Sequence, residues 1–351
     1  MRVSLAKSDG GFSAPSAASL LDAALAAGLR VPHSCNSGMC GACRARLLRG
    51  EVEYPGGRPL GLADDEIAEG YVLLCRAHAR TDLQIEIAEI RAADEASVKR
   101  LPCRIERAVR LSHDVVGLHL RLPAAEDFRF EAGQYVDVLL SGGRRRSFSI
   151  ASPPHDARPL ELHVRRVVGG EFTERVFGGG VEGTLLTIEG PFGRLFGTAP
   201  ERESAAGAPM LLVGGGTGIA PLLSILRHLL DNGCARDIAL YWGVRAEPDL
   251  YAQAALLDLQ RRANSLRYVP VLSEPSAAWT GRRGFVHAAA LADLGRLDRH
   301  HVYASGPPAM IEAVRREFIA CGVRGEHLHC DSFDYAPDAL ERQRISAATK
   351  S

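Results

Sequence analysis

Four cysteines, Cys35, Cys40, Cys43 and the distant Cys75, carry the densest chemistry in this sequence. The first three follow a C-x4-C-x2-C spacing in PHSCNSGMCGAC, and the fourth lies in YVLLCRAHAR. Thiolate sulfur is the ligand of iron–sulfur clusters, and this spacing with one further cysteine is the one that holds a [2Fe–2S] cluster. Gly38 and Gly41 let the loop turn sharply. They also aim N–H groups at the sulfurs, which tunes a cluster's potential. A structural zinc site is the competing reading, but zinc sites favour two closely spaced pairs of ligands. A [2Fe–2S] cluster takes one electron at a time, so the chain must draw electrons from a donor and pass them on.

Two further runs supply candidate donors. In RRRSFSIAS, Arg144 to Ser152, Arg146 is suited to grip a diphosphate. Phe148 is suited to lie flat on a ring, and Ser149 to hydrogen-bond a ring nitrogen. Strand alternation puts Arg146, Phe148 and Ile150 on one face and Ser149 on the other. Ser149 is therefore expected to reach the ring at a bend or through its backbone. Downstream, VVGGEFTERVF sets Gly169, Gly170 and Thr173 before a helix-like run, and a Gly-rich turn entering a helix is an anion site. GPFG, Gly190 to Gly193, then makes a tight turn. Further on, LLVGGGTGIAPLLSIL places Gly214, Gly215, Gly216, Thr217 and Gly218 between a strand and a helix, where glycines let backbone approach a pyrophosphate. The spacing is not G-x-G-x-x-G, and no acidic residue follows in the usual place, so an ordinary Rossmann fingerprint is not what this run presents.

In this order the motifs resemble those of the ferredoxin–NADP reductase superfamily. More closely, the chain resembles iron–sulfur flavoprotein reductases in which a plant-type ferredoxin domain precedes the reductase. These include the reductase components of multicomponent aromatic mono- and dioxygenases and CDP-6-deoxy-glucoseen reductase. The resemblance spans essentially the whole chain. It implies FAD on an Arg-x-Tyr-Ser strand: Arg146 on the diphosphate, Phe148 on the flavin in place of the usual tyrosine, and Ser149 beside the ring. It also implies that His163, Val164 and Arg165 lie along the FAD, and that Gly170 and Thr173 touch its diphosphate. The run from Gly214 to Gly218 is similar to the family's nicotinamide loop. YASGPPAMI matches the family's Cys-Gly-x-x-x-Met segment, with Ser305 where many members have cysteine, followed by Gly306 and Pro307. DSFDYAP resembles the C-terminal aromatic segment, with Phe333 shielding the flavin face. Ser149, Ser305 and Phe333 are thus expected at the reacting centre. NADP-specific relatives often carry Ser-Arg after the strand that here reads VPVLSEP. Glu274 beside Ser273 would repel a 2′-phosphate, so NADH is expected over NADPH, with Arg245 as the alternative phosphate ligand.

These residues need a multidomain scaffold. With 351 residues the chain is too long for one ordinary core. The first block, residues 1–92, holds a helix in ASLLDAALAAGL with Ser19 as its cap. Strands in ARLLRGEVEY and DLQIEIAEI complete an α+β, β-grasp ferredoxin domain. RAADEASVKR reads as a linker. The second block, 101–197, is a series of short alternating strands, VVGLHLRL, QYVDVLL, SFSIAS, LELHVRRV and TLLTIEG. It reads as an antiparallel β-barrel for FAD. The third, 208–335, alternates strand and helix and reads as an α/β parallel-sheet NAD domain, with a polar tail after Phe333. Cys103, Cys234, Cys321 and Cys330 show no ligand spacing and read as ordinary thiols.

Zero formal net charge argues against nucleic acid as a partner. No apolar run approaches the roughly 20 residues of a membrane span, and MRVSLAKSDGG lacks a signal-peptide apolar region, so a cytoplasmic protein is expected. The function expected is electron transfer from NADH through FAD to the [2Fe–2S] cluster, and on to a partner oxygenase. The acceptor is expected to dock near the cluster loop, around Asn36 to Met39, with Arg44, Arg46 and Arg49 beside it. The alternatives are a CDP-6-deoxy-glucoseen reductase-like enzyme of deoxysugar biosynthesis and a redox-sensing module without turnover.

Overall fold

The computed structural model describes all residues except 7–9, 30, 32, 34–37, 39–40, 42, 60, 63, 88–97, 194, 197–206 and 334–351. The chain divides into two compact units: Met1–Glu95 with Cys330–Ser332, and Ala96–His329 with the residues from Phe333 onward.

The N-terminal domain comprises β1 (Arg2–Leu5), β2 (Gly11–Ser13), α1 (Leu20–Ala26), β3 (Arg44–Arg49), β4 (Val52–Glu53), α2 (Asp64–Ala68), β5 (Tyr71–Leu73), β6 (His78–Ala79) and β7 (Leu83–Ile87). Five strands form a sheet in the order β2-β1-β7-β3-β5. Its first and last strands, β1 and β7, run parallel at its centre, which makes the sheet a β-grasp. The Ser19 hydroxyl accepts the Asp22 N–H at 3.1 Å, so the expected cap starts α1. Alternate leucine and alanine spacing then turns Leu20, Leu21, Ala23 and Ala24 into the core. Each buried leucine is worth about 1.5–3 kcal/mol. Gly28, at φ 79°, lets the chain leave the helix toward the cysteine loop.

The second domain has β8 (Lys99–Arg110), β9 (Val115–Arg121), β10 (Tyr135–Leu139), β11 (Arg145–Ser149), β12 (Leu160–Arg165), α3 (Glu171–Phe177) and β13 (Leu185–Phe192). The order is β11-β10-β13-β8-β9-β12, and the pairings along it are antiparallel. The two outer strands meet through one bridge, Ile150 opposite Leu162, so the sheet closes into a barrel. Val136, Val138, Ile150, Leu162 and Val164 fill it. β8 begins at Lys99, inside the segment expected as a linker. The polar composition there hides an alternating pattern, with Leu101, Cys103 and Ile105 facing inward.

The third domain contains β14 (Met210–Gly215), α4 (Ile219–Asp231), β15 (Ile238–Val244), α5 (Gln253–Arg262), β16 (Leu266–Leu272), β17 (Arg282–Arg283), α6 (Val286–Leu294), β18 (His301–Gly306), α7 (Pro308–Ala320) and β19 (Leu328–Ser332). The strand order is β17-β16-β15-β14-β18-β19. Pairs β14–β15, β14–β18, β15–β16 and β16–β17 are parallel. β14 is buried at every position, as a central strand covered on both faces must be. The ends of β14 and β18 carry the two expected nicotinamide segments, Gly214–Gly218 and Ser305–Pro307, side by side.

Candidate redox site

At the N-terminal domain, the structure describes two of the four expected ligands. Cys43 and Cys75 are buried, and the Cys75 N–H points at the Cys43 sulfur at 3.4 Å. A buried sulfur that receives a backbone N–H suits a thiolate in a cluster. Gly38 and Gly41 sit at φ 80° and 76°, in the left-handed region that glycine favours. A Cβ at Gly38 would lie 2.7 Å from the Arg76 side chain, so the turn has no room for one. Cys35, Cys40 and most of the expected docking stretch, at 36, 37 and 39, lie outside the described residues. Of the neighbouring arginines, Arg44 pairs with Glu66 and lies over the Tyr71 ring, while the Arg46 guanidinium donates to the Glu69 carbonyl.

On the barrel, the motif strand β11 runs antiparallel to β10, pairing Arg146 with Val138, Phe148 with Val136 and Ser149 with Tyr135. The Phe148 ring is half-buried and tilts against Phe172, 5.4 Å away. Arg146 is partly exposed, and its guanidinium donates to the Arg145 carbonyl at 2.7 Å. Ser149 is buried, and its hydroxyl has no partner among the described residues. An orphaned buried hydroxyl costs stability unless a ligand completes it, so Ser149 fits the ring contact expected of it. At the glycine turn, Gly169 has φ 75°. A Cβ on Gly170 would strike the Thr173 hydroxyl at 2.7 Å. That hydroxyl is already committed: it donates toward the Val167 carbonyl at 2.9 Å and accepts the Val167 N–H at 3.1 Å. Thr173 therefore shapes the turn, while the Gly169 N–H donates to the Glu174 carboxylate at 3.4 Å and the Gly170 N–H to the Val167 carbonyl at 2.9 Å.

The three residues of β12 face three ways. The Val164 side chain lies in the barrel core, fully buried. The His163 ring is held on both sides, by the Tyr251 hydroxyl at 3.0 Å and by Glu161 at 3.1 Å. Arg165 reaches outward, donating to Asp114 at 2.9 Å and lining the nucleotide cavity. Only backbone contacts of His163 and Val164 are thus open to the FAD role expected for them.

That cavity, of about 670 Å³, lies where barrel and α/β domain meet. Its floor is Gly215, Gly216 and Thr217, its wall Pro307 and Met310, and its rim Arg245, Ser273 and Phe285. The glycines are there for space. A Cβ on Gly215 would lie 2.6 Å from the Met310 sulfur, and one on Gly218 would lie 2.0 Å from the Ser305 carbonyl oxygen. Gly214 packs beneath, against Leu222 and Trp242. Ser305 is fully buried, and its hydroxyl, like that of Ser149, has no partner among the described residues. The Phe333 N–H donates to the Gly306 carbonyl at 3.1 Å, which ties the expected shielding aromatic to this segment.

The rim carries an ionic lattice that no sequence motif announced. Asp114, from the turn before β9, accepts from Arg165 and lies 3.5 Å from Arg245, while Arg245 also pairs with Asp249 at 3.4 Å. Burial pushes the Asp114 carboxyl up, but Arg165 and Ser112 outweigh it and hold it below the usual carboxylate range. Arg245 is thus shared between two carboxylates, and the exposed Glu274 lies beside it in space, its N–H donating to the Arg245 carbonyl at 2.8 Å.

The chain's segments match three family models: a 2Fe-2S iron-sulfur cluster binding domain at residues 6–80, an oxidoreductase FAD-binding domain at 102–196 and an oxidoreductase NAD-binding domain at 212–316. It is 36% identical over 322 residues to the RfbI protein of Salmonella typhimurium, covering 92% of this chain and 93% of that one. Similarity to reductase component 2 of the terephthalate 1,2-dioxygenase of a Comamonas species is 35% over 334 residues, covering 94% and 96%. This chain belongs to the iron–sulfur flavoprotein reductases. Its fold matches that of the Amycolatopsis cytochrome P450 reductase GcoB with a TM-score of 0.74 at 33% identity, covering 95% and 98% of the two chains. This reductase is an NAD(P)H-dependent oxidoreductase with a [2Fe–2S] domain, an FAD domain and an NAD domain. Among its described residues no helix is long and apolar enough to cross a membrane. Sequence reasoning did not single out Asp114, Trp242 or Tyr251, because they bond Arg165, Gly216 and His163 far away in the chain and none sits in a motif.

Proposed function

We propose that this reductase takes electron pairs from NADH and hands them singly to a partner oxygenase component that docks beside the cluster loop. The observation that carries the reading is where two of the buried hydroxyls without a partner among the described residues lie: Ser149 on the barrel motif strand and Ser305 beside the glycine loop. Each is a hydrogen-bonding group left for a bound ring system to complete, one on the flavin side and one on the nicotinamide side. When bound, FAD converts a two-electron delivery into single-electron release, and the cluster supplies the one-electron outlet. The chain's own residues do the rest. Arg146 holds the flavin's diphosphate, Gly214–Gly218 admit that of the dinucleotide, and Cys35, Cys40, Cys43 and Cys75 hold the iron.

NADH is favoured over NADPH by charge. Arg245, the one cation named for a 2′-phosphate, is held by Asp114 and Asp249, and Glu274 adds a further negative group. A cytoplasmic location suits a chain of this kind. A second acceptor class has its own support: relatives as similar as the oxygenase reductases include the CDP-6-deoxy-L-threo-D-glycero-4-hexulose-3-dehydrase reductase of Yersinia pestis, at 35% identity over 322 residues. The deciding experiment reduces the protein with NADH anaerobically and adds either a ring-hydroxylating oxygenase component or a sugar dehydrase. Reoxidation by the oxygenase at catalytic rates is expected. Reoxidation by the dehydrase alone assigns the second class, and none with either overturns both.

A further inference from the structure

A closed circuit of side chains joins the flavin barrel to the nicotinamide loop. It starts at Gly216, whose φ of 55° makes the turn over which the dinucleotide must pass. The Gly216 carbonyl accepts the indole N–H of Trp242 at 2.9 Å. Trp242 is fully buried on β15 and meets the Tyr251 ring edge-on, 5.2 Å between centroids at 84°. The Tyr251 hydroxyl bonds His163 on barrel strand β12, and His163 bonds Glu161 on the same strand. Glu161 is gripped at 3.0 Å by Arg227 of α4, the helix that begins where the glycine loop ends. The circuit thus crosses between the two domains twice, at Tyr251–His163 and at Arg227–Glu161.

Two of its groups have a settled protonation, Glu161 and Tyr251. Burial pushes the Glu161 carboxyl up, but His163 and Arg227 hold it down at about 2. It is therefore an ionised acceptor, and the His163 Nε2 must carry the proton that bonds it. The His163 Nδ1 and the Tyr251 hydroxyl share the remaining hydrogen bond, 3.0 Å long. Burial raises Tyr251 well above its ordinary pKa, so that hydroxyl keeps its proton.

The geometry points to Tyr251 as a positioning residue that, through Trp242 and His163, fixes the Gly216 turn against the flavin barrel for hydride transfer. This rests on the NADH-to-FAD reading above. In that step a C–H bond of the dihydronicotinamide breaks, both electrons leave with the hydrogen for the flavin, and NAD⁺ remains. Such transfers need the reacting atoms about 3–3.5 Å apart, and a displacement of about 1 Å costs on the order of 100-fold. Tyr251 borders the nucleotide cavity, but a residue that sets this spacing chiefly through its neighbours changes the rate of the step more than the affinity for either partner.

The test is Tyr251→Phe in the full, flavin-loaded chain, with Trp242→Phe as a second variant that cuts the circuit at its other end. Both keep a buried aromatic. Three quantities are read: the limiting rate of flavin reduction in anaerobic stopped flow, the long-wavelength charge-transfer absorbance of reduced flavin with NAD⁺, and hydrogen exchange of the 212–219 segment. The inference expects the limiting rate to fall about 10-fold, the charge-transfer band to weaken, and exchange at 212–219 to quicken at least threefold. Flavin content and NADH affinity should hold within about twofold. An unchanged limiting rate and exchange in either folded variant overturns the inference. So does a rate loss matched by lost flavin or weakened NADH binding. Failure of the wild type to be reduced by NADH would instead refute the function reading itself.

Discussion

Gly218→Ala is the sharpest probe of the nucleotide site, because its cost is steric alone. Gly218 has φ −61° and ψ −9°, a conformation alanine adopts freely. The added methyl would lie 2.0 Å from the Ser305 carbonyl oxygen, 2.5 Å from the Ser305 carbonyl carbon and 3.0 Å from the Gly306 nitrogen. All three are backbone atoms of β18, held in the sheet beside β14, so no side chain can swing away. Relief requires the loop and the Ser305–Pro307 segment to part by about 1 Å or more. Overpacking of this kind costs about 1–3 kcal/mol of stability, and a 1 Å misplacement costs on the order of 100-fold in a well-aligned transfer. The expected outcome is a roughly 100-fold slower flavin reduction by NADH, with FAD and iron content intact and the flavin still reducible by dithionite. Gly325→Ala is the control, since nothing lies near its added methyl, and it should behave as wild type. A Gly218→Ala protein with wild-type reduction rate and unchanged Tm would refute the reasoning, because the two segments would then have slack that the structure denies them.

Cys43→Ser should abolish the [2Fe–2S] absorbance and electron delivery to a one-electron protein acceptor, while NADH still bleaches the flavin; iron analysis with stopped flow checks this. Arg146→Ala should lower FAD occupancy of the purified protein several-fold, and unchanged flavin content would count against its diphosphate role. The Glu161 carboxyl gives a pH signature: its ordinary value is 4.5 and the folded protein holds it at about 2. That depression contributes stability above about pH 4.5 and loses it as pH falls toward 2, about 3 kcal/mol at full extent. The Tm gap between wild type and Glu161→Gln should therefore narrow between about pH 5 and about pH 3.

The elements most legible in the sequence were those whose own pattern decides them. The helix after Ser19, the alternating barrel strands and the helix after Gly218 all stand where spacing put them. The short pieces β5, β6 and β17 escaped, since two or three residues carry no period. β8 was half lost in a polar stretch because only its inward residues are apolar. In the candidate site, motif residues such as Ser149 and Ser305 could be singled out by type and neighbours, and the structure places them on β11 and β18. The role of Thr173 did not, because its hydroxyl turns back on Val167, and only folding shows which way a side chain points. Tyr251 and Trp242 drew no reading, for their bonds to His163 and Gly216 reach 88 and 26 residues along the chain.

The barrel is closed between β11 and β12 by the single bridge of Ile150 to Leu162, and β11 is the strand that carries Arg146, Phe148 and Ser149. The thinnest seam of the domain is therefore also the strand proposed to hold FAD. A ligand bound there acts as a rivet: by mass action, free FAD at 100 times its Kd would add about 2.7 kcal/mol to the folded state. Thermal melting of this domain should then report flavin supply, rising with each decade of free FAD. A chain starved of flavin would lose the barrel first and meet proteolysis along that seam.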